Sequence, residues 1–329
     1  MFQRDGHRCV VCGSDGKLDA HHILERRLWS DGGYYLANGA SVCEPHHMMC
    51  ETTEISVEEL REFAGITKKI IPDHLYNDQV YDKWGNPILP NGQRLIGELF
   101  FDESVQKVLK DVLNLFTHHV KYPRTTHVPW SPGMNEDDRI LSSMEHFIGK
   151  EVVVTEKMDG ENTTFYSDYT HARSLDGRNH PSRNWVKNFW SGIAADIPDR
   201  WRVCGENLFA KHSIQYDDLT SFFYGFSIWN ERNICLPWDE TLEWFKLLGI
   251  QPVPVLYQGI YNETLIKKIM TQQYWEKNEG YVIRLEHEFS FADFKKSVAK
   301  CVRKGHIQTT KHWMYGQQME LNSIKGEFE

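Results

Sequence analysis

The sequence predicts an α+β protein, and three observations carry that expectation. Short β-branched runs, such as Val152-Val153-Val154 and Thr163-Thr164-Phe165-Tyr166, read as strands joined through Asp159-Gly160, a pair suited to a hairpin turn. Helical periodicity appears elsewhere: from Ser104 to Phe116, apolar residues recur at Val105, Val108, Leu109, Val112, Leu113 and Phe116. The first fifty-five residues are instead rich in cysteine and histidine, and a segment that short needs a staple because it buries little surface alone. The expected division is a metal-bound module at 1–55, a helical connector at 56–115 and a large domain at 116–329.

At 329 residues the chain is long enough for two domains and a large core. Its net charge of −9 argues against a protein that coats nucleic acid nonspecifically, which needs many phosphate-neutralising cations, but leaves room for a local basic groove. The start, MFQRDGHRCV, has no apolar signal region, and no later stretch is long and apolar enough to span a bilayer. A cytoplasmic site of action and no membrane partner are expected. In that compartment cysteines read as metal ligands and buried thiols, not as disulfides. Four of the seven, Cys9, Cys12, Cys43 and Cys50, fall in the first fifty residues.

Cys9-x2-Cys12 and, about thirty residues on, Cys43-x2-His46 form two chelating pairs at the spacing of tetrahedral zinc. A structural Zn2+ on Cys9, Cys12, Cys43 and His46 is expected. Two buried thiol pairs would explain neither the paired spacing nor the neighbouring His21, His22 and His47. The order Cys-x2-Cys, Asp19-Ala20-His21-His22, Gly32-Gly33, Asn38 and Cys43-x2-His46-His47 resembles the HNH family of ββα-metal endonucleases. That resemblance implies His21 and His47 as ligands of a catalytic cation, His22 as the general base and Asn38 as the brace of the motif's loop. The chemistry is sound, since neutral imidazole accepts a proton near pH 7. One departure is visible: where many HNH enzymes carry a further histidine, this chain has Met48, Met49, Cys50 and Glu51. The cation is under-ligated unless Cys50 or Glu51 contributes, so an active nuclease and an inherited zinc scaffold both remain open.

In the connector, Ser56 followed by Glu59 predicts a capped helix ended by Gly65, and Asp82 to Pro87 is turn-rich. Neither suggests chemistry by itself.

In the large domain, Lys157 stands in Lys-x-Asp-Gly at the end of a buried strand, with Glu156 and Asp159 beside it. Arg173, Glu206, the alternating Phe222, Tyr224 and Phe226, then Glu279, and a basic run of Lys295, Lys296, Lys300, Arg303 and Lys304 follow in order. Singly, each has an ordinary explanation: a surface ion pair, a core aromatic, a solvated face. Together they resemble the motif order of covalent nucleotidyltransferases, the DNA ligases, RNA ligases and capping enzymes. From about Lys121 to Trp313 the likeness is nearest to ATP-dependent RNA ligases, and the lead-in KYPRTTHVPWSPG and the tail VAKCVRKGHIQTTKHW resemble phage and bacterial members. An antiparallel-sheet nucleotidyltransferase (adenylation) domain behind the HNH-like module is therefore implied.

The resemblance implies that Lys157 attacks the α-phosphate of ATP, and that AMP then passes to a 5′-phosphate end and is displaced by a 3′-hydroxyl. Glu156, Asp159, Arg173, Glu206, Phe226, Glu279, Lys300 and Arg303 would bind the nucleotide, Arg173 reaching the ribose. The residue types suit those tasks. An aromatic such as Phe226 can stack on adenine, and Glu206 can accept from a ribose hydroxyl. Glu279 can hold Mg2+ or Mn2+ against the phosphate, with Lys300 neutralising the same oxygens. A lysine must be neutral to attack phosphorus, and nearby cations on a basic strand from Lys295 to Arg303 are expected to lower its pKa. Many ligases place two lysines one residue apart on that strand; here Lys300-Cys301-Val302-Arg303 offers one, and Ser227 stands where relatives often have Asp. DNA ligases and capping enzymes continue into an oligonucleotide-binding barrel after this strand, for which the sequence ends too soon, so RNA ligation in nucleic-acid repair is favoured. A DNA or hybrid substrate, a nuclease whose ligase half only binds nucleic acid, and a bifunctional end-processing nuclease-ligase stay open.

Overall fold

The computed structural model describes residues 1–75, 79–134, 138–175, 177–269, 271–304 and 319–325, so the expected tail motif lies outside them from residue 305 to 318. The chain divides into two compact units, Met1–Val120 and Lys121–Glu329. Among the described residues no helix is long and apolar enough to cross a membrane.

In the first unit, β1 (Leu18–His22) pairs antiparallel with β2 (Gly39–Cys43), Leu18 opposite Cys43 and His22 opposite Gly39. β2 runs directly into α1 (Glu44–Glu51), giving a ββα order. α2 (Val57–Phe63) starts at the expected capping box of Ser56 and Glu59, and Gly65 follows it at φ +64°, the left-handed conformation that closes a helix. Val57, Leu60 and Tyr81 share one core with Cys9, Leu24, Val42 and Cys50, so residues beyond 55 supply apolar surface the ββα element lacks. β3 (Arg94–Leu95) pairs parallel with β4 (Phe116–Thr117), and α3 (Glu103–Leu109) lies between them in sequence. The helix expected to reach Phe116 stops at Leu109. Phe116 is drawn into extended backbone beside Arg94 and its ring meets Phe100 at 4.9 Å, while Leu113 faces solvent, so the apolar period outlasts the helix.

The second unit holds β5 (Thr126–His127), β6 (Glu151–Lys157), β7 (Glu161–Phe165), β8 (Thr170–Ala172), β9 (Arg202–Asn207) and β10 (Phe223–Trp229). β11 (Ile234–Cys235), β12 (Gln251–Pro252), β13 (Val255–Ile260), β14 (Gly280–Leu285), β15 (Phe289–Ser290) and β16 (Val298–Val302) follow. The helices are α4 (Asn184–Ile193), α5 (Trp238–Leu247), α6 (Glu263–Ile269), α7 (Gln272–Lys277) and α8 (Phe294–Ser297). One sheet has the order β15-β11-β10-β9-β7-β8 with β12 beside β10; the other is β13-β6-β14-β16-β5. Most pairings are antiparallel, and α4 and α5 cover the first sheet through Val186, Phe245 and Leu248 against Phe165, Val203 and Phe223.

Two sequence expectations are corrected here. β6 and β7 do not form a hairpin: β6 lies between β13 and β14, and β7 between β8 and β9 in the other sheet. Asp159-Gly160 is a crossing between sheets. Gly160 is needed for close approach, because a Cβ there would lie 2.4 Å from the Asn207 carbonyl oxygen and 2.8 Å from Leu208 Cδ2. The basic run is not one strand either. Lys295 and Lys296 lie exposed on α8, Lys296 paired with Asp293 at 3.1 Å, and the strand begins at Val298. Gly160→Ala should therefore lower stability by about 1–3 kcal/mol, the usual cost of forcing a methyl into filled space. A wild-type urea midpoint for that variant would contradict the close-approach account.

Candidate active site and metal centres

Local geometry brings together the candidate metal ligands of the first unit. Cys9 and Cys12 precede β1, Cys43 ends β2 and caps α1, and His46 sits in the helix's first turn. Their four ligand atoms lie within 4.8 Å of one another. Cys12 Sγ and Cys43 Sγ are 3.8 Å apart, and Cys9 Sγ is 3.6 Å from His46 Nδ1. A tetrahedron with metal–sulfur bonds of about 2.3 Å has edges of about 3.8 Å, so the donor set fits Zn2+. Burial raises the Cys9 thiol, but backbone hydrogen bonds from Cys43, Cys12 and Val11 outweigh it and bring it down to about 6, the thiolate a metal needs.

One residue further along the helix begins a second cluster, His21, His47 and Glu51, also within 4.8 Å of one another. His47 and Glu51 are one helical turn apart, with Nε2 of His47 3.2 Å from Glu51 and Nδ1 3.4 Å from Asp19. The His21 side chain is fully buried, 3.7 Å from Glu51, and among the described residues neither ring nitrogen has a hydrogen-bond partner, so the imidazole fits a ligand role. Burial, then Lys83, His47 and His22, holds it well below the usual histidine range, hence neutral. His22, on the opposite strand face, is partly exposed and edge-on to Tyr34 at 5.6 Å; burial, with Lys83 and Arg26, lowers its pKa too. Buried Asn38 accepts from Leu24 N–H at 2.9 Å and donates to the Leu24 and Gly33 carbonyls at 3.0 and 3.2 Å. Glu51 thus stands where the sequence lacked a third donor, whereas the Cys50 thiol is buried and pushed up to about 12. Lys83 was not foreseen. Its ammonium contacts Glu51, lies 3.8 Å from Glu25 and sits over the Trp84 ring at 4.6 Å.

In the second unit, Lys157 ends β6 opposite Gly280, which places it beside Glu279. Lys157 Nζ donates to Glu279 Oε2 at 2.5 Å, and Glu279 is 5% exposed. Glu206 on β9 accepts from Gly160 N–H at 3.2 Å. Asp159 accepts from Ser213 N–H at 2.8 Å, Ser213 Oγ–H at 2.6 Å and Ile214 N–H at 2.9 Å, and its own N–H donates to Tyr216 Oη at 3.0 Å. Arg303 N–H donates to the Glu279 carbonyl at 2.9 Å, and its guanidinium to Ser213 Oγ at 3.4 Å. Lys300 lies on β16 opposite Val282. Arg173 follows β8 and its Nε donates to the Tyr122 carbonyl at 3.4 Å. Phe226 falls at the irregularity between Gly225 and Ser227, where it has no ladder partner, and stays partly exposed while Phe222 and Tyr224 enter the core. The structure thus brings Lys157, Asp159, Glu206, Glu279 and Arg303 together. Glu156 alternates to the other face of β6, and Lys295 is outside the cluster. Ser213 and Tyr216, which carried no motif signal, were missed.

The electrostatics differ from expectation at Lys157. Burial opposes its charge, yet Glu279 and Glu206, with Asp159, outweigh burial and raise the ammonium above its ordinary value. Lys300 is lowered, first by burial and then by Lys157. The acids crowd each other: burial, with Glu279 and Asp159, lifts Glu206 to about 8, and burial alone lifts Glu156 to about 7.

Residues 150–302 match the family model described as RNA ligase. Similar solved structures include an archaeal ATP-dependent RNA ligase, form 1 (17% identity, 57% of this chain and 49% of that one, TM-score 0.42). A mutant Naegleria gruberi RNA ligase with ATP and Mn shows 19% identity over 58% of each chain at TM-score 0.41. A putative ATP-dependent DNA ligase from Aquifex aeolicus shows 19% identity over 50% of this chain and 46% of that one at TM-score 0.36. The aligned part spans about half the length of these proteins. No curated protein matches the chain.

Glu206 makes stability depend on pH in a definite direction. Between its unfolded value of 4.5 and about 8, the unfolded chain loses the proton and the folded chain keeps it, so stability falls as pH rises through that window. Glu206→Gln has no proton to lose. Its melting temperature should exceed that of wild type by about 2–4 °C at pH 8 and by less at pH 5. Scanning fluorimetry showing an equal gain at both pH values would reject this.

Proposed function

We propose that the protein is an ATP-dependent RNA ligase in nucleic-acid repair, with Lys157 as the adenylated nucleophile. The observation that supports this best is the ordered Lys157 amine against Glu279, ringed by Asp159, Glu206 and Arg303, within the segment matching the RNA ligase family model. At rest Nζ is an ammonium held by Glu279. Attack requires the neutral amine, so Glu279 must find another partner when ATP enters. Mg2+ or Mn2+ bound at Glu279 would supply Lewis-acid charge at the phosphates. Nζ forms a bond to the α-phosphorus as the bond to the β-phosphate oxygen breaks, releasing pyrophosphate and leaving a lysyl phosphoramidate once the nitrogen sheds its proton. Phe226 is suited to stack on adenine, Arg173 and Glu206 to bind the ribose, and Lys300 and Arg303 to offset phosphate charge. A 5′-phosphate end then takes the AMP, and a 3′-hydroxyl displaces it to seal the strand. Incubation with α-labelled ATP and Mg2+ should label the chain covalently, and Lys157→Ala should abolish the label. A folded wild-type protein that takes up no label would refute the reading.

The first unit supports a second activity. The brace at Asn38 and the His21, His47 and Glu51 donor set fit an HNH-like module with its own divalent cation beside a structural zinc. There His22, neutral near pH 7, would take a proton from the attacking water. His22→Ala should then spare joining of clean ends and abolish both metal-dependent nicking and the joining of blocked ends. If wild type cuts neither RNA nor DNA in Mg2+ or Mn2+, the module is a scaffold.

A further inference from the structure

The loop between β9 and β10, residues 208–222, is held on two sides. On one side it grips the turn that follows Lys157. Asp159 takes both backbone and side-chain donors from Ser213 and the Ile214 N–H, and returns its own N–H to Tyr216 Oη. On the other side it is bound by the separate segment 319–325. Lys211 N–H donates to the Glu320 carbonyl at 2.9 Å, Ser323 N–H to the Tyr216 carbonyl at 3.0 Å, and Lys325 N–H to the Leu219 carbonyl at 2.9 Å. Ala210 and Leu321, and Leu219 and Ile324, form β-bridges.

Asn322 is the centre of this attachment. Its side chain, 4% exposed, donates to the Leu208 carbonyl at 2.7 Å and accepts from Tyr216 N–H at 2.9 Å. One amide thereby ties together two loop positions eight residues apart, one of them the tyrosine that reaches Asp159. Ile324 packs in the same apolar cluster as Met158, the residue between Lys157 and Asp159. A chain of direct contacts therefore runs from Asn322 through Tyr216 to Asp159 and the nucleophile's turn. Packing of a loose segment would need neither the buried amide nor its placement on Tyr216.

We propose that residues 319–325 are a strap that positions Lys157 for adenylation, with Asn322 and Tyr216 as positioning residues; this rests on the ligase reading. Neither residue is placed on ATP or on the reacting atoms. Loosening the strap should let the turn drift while every nucleotide-binding side chain stays present, so the cost falls chiefly on the rate of the covalent step and little on ATP affinity.

The test is single-turnover label incorporation from α-labelled ATP by the full chain. Asn322→Ala should slow the rate constant about tenfold with the ATP KM within about twofold of wild type, and Tyr216→Phe, which removes one oxygen, should do the same. Because the two act in series, the double variant should be about as slow as the slower single variant; independent structural damage would multiply the two effects. Wild-type rates in either single variant, a rise in KM without loss of rate, or multiplying effects in the double variant would overturn the strap. Should Asn322→Ala not fold, Tyr216→Phe alone decides by its rate and KM. Absence of label in wild type would overturn the ligase reading itself, and is thereby distinguished from failure of the strap.

Discussion

The ion pair between Lys157 and Glu279 is the constraint around which the second unit is arranged. Lys157 ends β6 and Glu279 directly precedes the adjacent strand β14, so the β6–β14 register fixes their approach to 2.5 Å with little freedom lost on pairing. A buried pair of this kind contributes little net stability, because desolvation of both ions offsets their attraction. What it does secure is a charged lysine held at one place. Under the proposed ligase reading the resting state is chemically silent, since an ammonium cannot attack phosphorus. Reactivity would then depend on an event that diverts the Glu279 carboxylate, and binding of a nucleotide with its cation would be such an event.

The surrounding carboxylates make this arrangement costly. Glu206, Glu279 and Asp159 share one neighbourhood, and the lifted pKa of Glu206 records its burial first and then its repulsion by Glu279 and Asp159. Lys157 offsets part of this repulsion, and a further cation bound there under the proposed reading would offset more, linking its binding to stability. Functional sites commonly carry this kind of stored cost.

Legibility in the sequence followed physical scale. The grouping of Lys157 with Glu206 and Glu279, and of Cys9 and Cys12 with Cys43 and His46, could be anticipated because a pattern of residue types and spacings does not depend on which sheet a strand joins. The supposed hairpin at Asp159-Gly160 failed because local turn preference is the same for a hairpin and for a crossing; the Gly160 contact with Asn207 that distinguishes them is long-range. The helix toward Phe116 ran too far because periodicity cannot see that β3 captures Phe116. Lys83 and Asn322 were illegible for a related reason. Each acts on a partner far away in sequence, Glu51 for one and Tyr216 for the other, and no local pattern marks that.

The ββα element shows how a short sequence can gather two sets of candidate metal donors at once. Successive residues on a helix point about 100° apart, so His46 and His47 face different ways; one completes the cysteine set and the other joins Glu51 a turn later. Strand alternation separates His21 from His22 in the same manner, sending one imidazole into the interior and leaving the other accessible. The cysteine set ties the residues before β1 to the β2–α1 junction, which aligns the helix against β1 and so sets the distance from His47 and Glu51 to His21. Staple and candidate catalytic cluster therefore depend on the same two bends of the chain. An ion held by the cysteine set would be felt at the second cluster even though no donor is shared, because the helix that carries His47 and Glu51 also carries His46.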